Sequence, residues 1–116
     1  MILLTMIFLH IVDDYYLQGI LAQMKQKKFW KEQAPDEKYK YDYIWALIMH
    51  AFSWAFMIML PLAFVTAVGP LFYVVFAANV AIHAYVDHMK ANQFKINLWQ
   101  DQLAHMVQIV LTFIIL

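Results

Sequence analysis

Met1–Gln18, MILLTMIFLHIVDDYYLQ, is the stretch on which the fold turns. Its first nine residues carry no charge and suit hydrocarbon, yet His10, Asp13, Asp14 and Gln18 follow before any turn signal. Ionisable groups at the centre of a membrane helix cost roughly 2.5–3.5 kcal/mol each on insertion scales. They must be neutral, paired, hydrated or bound to a cation, so their partners have to come from elsewhere in the chain.

Composition sets the frame. The 116 residues are 65% apolar and 14% charged, and the mean hydropathy is +0.60, too apolar for an ordinary soluble domain of this length. The chain therefore reads as an integral membrane protein. A formal net charge of zero gives no sign of nucleic-acid binding or of a general acidic partner. The absence of cysteine excludes disulfides, thiolate metal sites and thiol nucleophiles, leaving chemistry to oxygen and nitrogen groups. The N-terminus has no basic leader or small-residue cleavage site, so it is expected to be a retained first span.

Four apolar stretches run over about 1–20, 43–68, 70–89 and 96–116. Each approaches the ~20 residues that cross ~30 Å of hydrocarbon as a helix. Sparse Gly and Pro, and no alternating pattern, fit helices rather than barrel strands. The expected fold is all-α: a single transmembrane domain over 1–116, an integral membrane four-helix bundle with helices at about 1–24, 35–67, 70–90 and 97–116. Gly69-Pro70 breaks the second span from the third, and Pro61 predicts a kink within the second. Pro35 with Asp36 and Glu37 reads as a helix start, and Asn97-Leu-Trp-Gln100 has capping-box spacing.

All eight basic residues are lysines: Lys25, Lys27, Lys28, Lys31, Lys38 and Lys40 in the first connection, Lys90 and Lys95 in the third, none in the second. The positive-inside rule assigns the first and third connections to the cytoplasm and both termini to the opposite side of the inner (plasma) membrane. Phe29, Trp30, Tyr39, Tyr41 and Tyr43 interleave with these lysines, a composition that anchors a segment on an anionic lipid surface. Membrane lipids are thus the expected partners. Four spans enclose little volume, which makes a homo-oligomer plausible.

Every span carries ionisable residues, and their spacing converges. His10 and Asp14, His83 and Asp87, and Asp101 and His105 are each four apart, which puts each pair on one helix face. Gln18, Asn79, Gln108 and Thr112 extend those faces as polar stripes, while His50 stands alone in the second span. In the topology above all these groups share one layer, about 5–15 Å below the lysine-rich surface at 1.5 Å per residue. Asp13 and His88 turn off the shared faces by about 100° and are expected to lie outside the cluster.

His10-x-x-x-Asp14-x-x-Leu17-Gln18, His50, His83-x-x-x-Asp87-x-x-Lys90 and Asp101-Gln102-x-x-His105 together resemble an uncharacterised family of small bacterial and phage-encoded polytopic membrane proteins. Asp13 departs from the family pattern, which leads one to expect a small residue there. A second, partial similarity, through helix-borne His and Asp and the Asp87-His88 pair, is to membrane-bound metal-dependent hydrolases, and it implies that class of activity.

Imidazole nitrogens and carboxylate oxygens without sulfur suit a divalent metal, zinc first and iron or manganese next. The expected ligands are His10, Asp14, His50, His83, Asp87, Asp101 and His105, with Gln18, Asn79 and Gln102 supporting them by hydrogen bonds. A membrane-embedded metal-dependent hydrolase is the leading functional expectation. The alternatives are a metal-ion or proton transporter or channel, and a small membrane effector whose metal or His/Asp network is purely structural. Taken singly, His50 would be a packing residue, and Tyr15, Tyr16, Trp45 and Trp54 would face lipid or pack.

Overall fold

A computed structural model describes residues 1–116 and is helical throughout, with no strand. The elements are α1 (Ile2–Ile11), a π turn (Val12–Leu17), α2 (Leu21–Met24), α3 (Lys27–Gln33), a 3-10 turn (Glu37–Tyr39), α4 (Asp42–Val65), α5 (Pro70–Ala91) and α6 (Leu98–Ile115). Two helical runs are long and apolar enough to cross a membrane, Glu37–Val65 with 29 residues and Pro70–Ala91 with 22. The other two expected spans differ for local reasons. α1 gives way to a π turn after ten residues, and α6 opens with the polar run Gln100-Asp101-Gln102.

The expected helix over 1–24 is therefore three pieces. The π turn inserts an extra residue per turn, so successive side chains rotate by less than the 100° of an α-helix. Gly19, at φ +54°, then occupies the left-handed region and ends the run. The helix expected over 35–67 starts later, at Asp42. Asp36 caps the preceding 3-10 turn, its carboxylate accepting from the Lys38 N–H at 3.1 Å. Pro61 lies inside an α4 that remains a single helix. α5 follows the Gly69-Pro70 break, with Pro70 at its first position, where the missing N–H costs nothing. α6 begins with the expected capping box: Asn97 and Gln100 exchange bonds of 2.9 and 3.1 Å.

Packing runs α1 on α4, α4 on α5, α5 on α6, and α6 back on α1. The core is Met6, Trp54, Ala55, Ile58, Met59, Leu62, Val75 and Ile109, drawn from all four of these helices. Buried positions form stripes at helical spacing: Tyr43, Leu47, His50, Trp54 and Ile58 on α4, and Val75, Asn79, His83 and Asp87 on α5. The opposite faces expose large apolar residues such as Phe52, Phe56, Tyr73, Val74 and Leu111. Buried polar residues and exposed large apolar ones thus occur together on the same helices.

Replacing Asn97 by Ala removes the capping box of α6. The expected loss is about 1 kcal/mol of stability, read as a lowered midpoint of unfolding in mild detergent.

Candidate metal centre

One buried layer between α1, the π turn, α4, α5 and α6 holds the polar groups. His10, Asp13, His50, His83, Asp87, Asp101 and His105 are all buried, and Asp14 is partly so. The lysine-rich segment contributes to the same layer. Lys25, which caps the C-terminal end of α2, is buried, and its Nζ donates to Asp87 Oδ2 at 2.9 Å.

Three overlapping groups could hold a metal ion: Asp14, His50 and His83; His83, Asp87 and His105; and Asp14, Asp101 and His105, with ligand atoms within 4.8 Å of one another in each. One arrangement brings four atoms together. Asp14 Oδ1 lies 3.1 Å from His50 Nε2 and 4.0 Å from His83 Nε2, and Asp87 Oδ2 lies 3.5 and 3.4 Å from the same two nitrogens. Tetrahedral coordination at about 2.0–2.2 Å separates neighbouring ligand atoms by roughly 3.3–3.6 Å; the two Asp87 distances fall in that range, while Asp14 Oδ1 stands at hydrogen-bond distance from His50 Nε2 and 4.0 Å from His83 Nε2. Both nitrogens of His83 are buried and without a hydrogen-bond partner. An imidazole buried without a bonding partner costs about 1–3 kcal/mol.

Two hydrogen-bonded chains fix the rings around this centre. In the first, the indole N–H of Trp54, which can only donate, reaches His10 Nδ1 at 2.7 Å. The proton of neutral His10 is thereby placed on Nε2, which donates to Gln102 Oε1 at 2.9 Å. The Gln102 amide then donates to Asp14 Oδ2 at 3.1 Å and Asp101 Oδ2 at 3.0 Å. His10, expected as a ligand, thus has both ring nitrogens occupied by protein partners and holds the centre from outside.

The second chain starts from a main-chain carbonyl. The amide of Gln108 donates to Asn79 O at 3.3 Å and Asn79 Oδ1 at 3.1 Å, and Asn79 Nδ2 donates to Thr112 Oγ1 at 2.8 Å. Gln108 Oε1 is therefore left to accept from His105 Nδ1–H at 3.1 Å. His105 Nε2 faces Asp87 Oδ1 and Asp101 Oδ1, both at 3.3 Å. A lone pair set against two carboxylates requires a cation at that point, a proton or a metal. An N–H donated outward by an imidazole whose other nitrogen faces the site is the usual support for a metal ligand.

The rings are also stacked. His83 stacks on Trp54, at 4.2 Å between centroids, and on His105, at 4.0 Å, and Trp54 and His105 are 5.3 Å apart, so the three rings form a closed cluster. Trp54 is fully buried and both orients His10 and covers His83. Charge gives a further constraint: the layer holds four carboxylates, of which Asp87 pairs with Lys25 and Asp101 lies 3.6 Å from the half-exposed Lys90. The positive charge still wanting can come from a divalent ion or from a proton on His105.

Asp13, expected off the shared face, is buried, accepts from Ser53 Oγ at 2.6 Å, and lies 3.7 Å from His50 Nδ1. The smaller rotation per residue in the π turn lets adjacent Asp13 and Asp14 flank the same imidazole. Gln18 supports only its own helix, donating to the carbonyl of Asp14 at 2.9 Å. Asn79 acts through Gln108 rather than on a ligand. His88 meets Asn92 and Gln93 outside the layer, as expected. Lys25 was legible only as a topology signal, because its burial depends on the Gly19 break that turns α2 back over the site. Comparison with models of protein families, with curated proteins and with solved structures gave no match.

Two outcomes follow from these chains. In ¹⁵N spectra of histidine-labelled protein, His10 is expected as the Nε2–H tautomer, and Trp54→Phe is expected to abolish that preference. Lys25→Met leaves Asp87 buried without its counter-charge; metal-free protein is expected to lose roughly 3–5 kcal/mol, with recovery on addition of Zn²⁺ in a detergent melting assay.

Proposed function

We propose that the chain is a multi-pass inner-membrane protein built as a four-helix bundle, and that its buried layer is the metal centre of a hydrolase. The observation that carries this is His83: fully buried, without a hydrogen-bond partner on either nitrogen, and with Nε2 3.4 Å from Asp87 Oδ2 and 4.0 Å from Asp14 Oδ1. The partial similarity of the sequence to membrane-bound metal-dependent hydrolases points the same way.

Asp14, His50 and His83 are assigned as the three ligands, with zinc the first choice of ion and iron or manganese the alternatives. Three protein ligands leave a fourth position for water or substrate, which is what separates a catalytic from a structural site. The ion supplies Lewis acidity and lowers the proton affinity of water near it. Asp87, held by Lys25 on one oxygen and facing His105 on the other, sits beside that position as proton acceptor. His105 can pass the proton on toward Asp101. Trp54, His10 and Gln102 hold Asp14 in register.

Depth supports a membrane-proximal substrate. Exposed Tyr15, Tyr16, Trp45, Tyr85 and Trp99 lie at the ends of their helices nearest the lysine-rich connections, where an aromatic belt marks the edge of a bilayer. His50 is five residues along α4 from Trp45, about 7 Å below that belt. The ester, phosphodiester or amide linkages of lipids lie at such a level, on the cytoplasmic side if lysine placement sets the topology. Transport has less support, because the polar chain ends at Asn79 and Thr112, with Val75 and Leu62 buried beyond it.

Protein prepared without chelator is expected to retain one divalent ion per chain by elemental analysis. His83→Ala should abolish stoichiometric retention, while His88→Ala, on the same helix but outside the layer, should not change it. Chelation should stop hydrolysis of lipid esters in proteoliposomes and Zn²⁺ restore it. Natively folded, metal-free wild-type protein would overturn the assignment, and metal flux without hydrolysis would convert it to transport.

A further inference from the structure

A second concavity lies apart from the metal centre, at the lysine-rich end of the molecule. α3, the 34–41 connection and the start of α4 enclose about 340 Å³. Its walls are aromatic: Trp30 and Tyr39 lie nearly parallel, 6.4 Å apart at 16°, with Tyr41 and Tyr43 beyond them. Lys27, Lys31 and Lys40 line the same space. Lys27 lies 5.2 Å over the Tyr43 ring and Lys40 5.5 Å over that of Tyr41.

These three lysines have no carboxylate partner; the lysines that do are Lys25, Lys28 and Lys90. Two acids, Asp36 and Glu37, share the lining, but Asp36 is turned onto the Lys38 N–H as a cap. The lining keeps a net positive charge, held over aromatic faces that shape it. Cation–π contact positions an ammonium without neutralising it, so the positive charge remains available to an incoming anion.

Position selects the anion's source. Tyr43 lies in the first turn of α4, within the 29-residue run able to cross a membrane, and exposed Trp45 follows two residues on. A cavity at that level faces the headgroup region. We infer that it is a binding site for the phosphate of an anionic phospholipid headgroup: the lysines meet the phosphate, and the aromatic walls pack against the glycerol end of the lipid. A soluble phosphate ester offers the same anion without the apolar part that the walls would cover.

Native mass spectrometry of the whole chain in detergent tests this with phosphatidylglycerol, phosphatidylcholine and inorganic phosphate as separate probes. Phosphatidylglycerol is expected to be retained at least about tenfold better than phosphatidylcholine. Lys27→Gln/Lys31→Gln/Lys40→Gln together should weaken retention by about a hundredfold, and Lys28→Gln, whose side chain lies outside the cavity, should leave it unchanged. Glu37→Gln should strengthen retention severalfold, a gain that loss of folding cannot mimic. Equal retention of the two lipids, an unaffected triple variant, or inorganic phosphate binding alone and blocking the lipid would each overturn the inference.

Discussion

Asp87 is the constraint on which the rest of the site depends. One of its oxygens receives the Lys25 ammonium and faces His50 and His83, while the other faces His105. A carboxylate nearly removed from solvent is tolerable only where positive charge or N–H donors surround it. Satisfying Asp87 therefore gathers α2, α4, α5 and α6 at one point. These polar contacts between helices specify how the helices meet, through atoms that must be paired where solvent is excluded.

Around that hub the hydrogen bonds have a definite direction. Donor-only Trp54 at one end and the carbonyl of Asn79 at the other set the orientation of every amide and ring between them and the carboxylates. His10 and Gln108 do not compete for an ion; they settle which lone pairs of Asp14 and His105 remain free to meet one. The centre is thus oriented before anything binds, which lowers the reorganisation that binding and catalysis would require. Lys25 adds a different feature. As the charge nearest Asp87, it is an internal counter-ion standing beside the position proposed for the metal.

Much of this was legible in the chain. Pairs spaced by four on α1–π, α5 and α6 mark shared helix faces, and the structure brings Asp14, His50, His83, Asp87, Asp101 and His105 into one layer. Helix ends with local chemistry were equally readable: Gly69-Pro70 before α5 and the Asn97–Gln100 box before α6. Trp54 read as packing and does pack, but periodicity gives no hint that its N–H chooses the tautomer of His10. An ideal 100° rotation sets Asp13 off the shared face, but its segment adopts a π turn that brings it to His50. Nothing in Val12–Leu17 itself announces that turn.

Composition and spacing alone give which chemical groups are present, that apolar helices carry them, and on which face of each helix most of them lie. Those properties follow from composition and from a 3.6-residue period, both local. Only the tertiary structure decided which groups act together. It turned Lys25 inward, drew Asp13 to His50, occupied both nitrogens of His10 and left those of His83 bare. The physical reason is that a hydrogen bond or a coordination shell is set over a few ångströms, between residues as far apart in the chain as His10 and Gln102. Helical spacing names the face, but the rotation of one helix against the next fixes which atom of that face meets which partner.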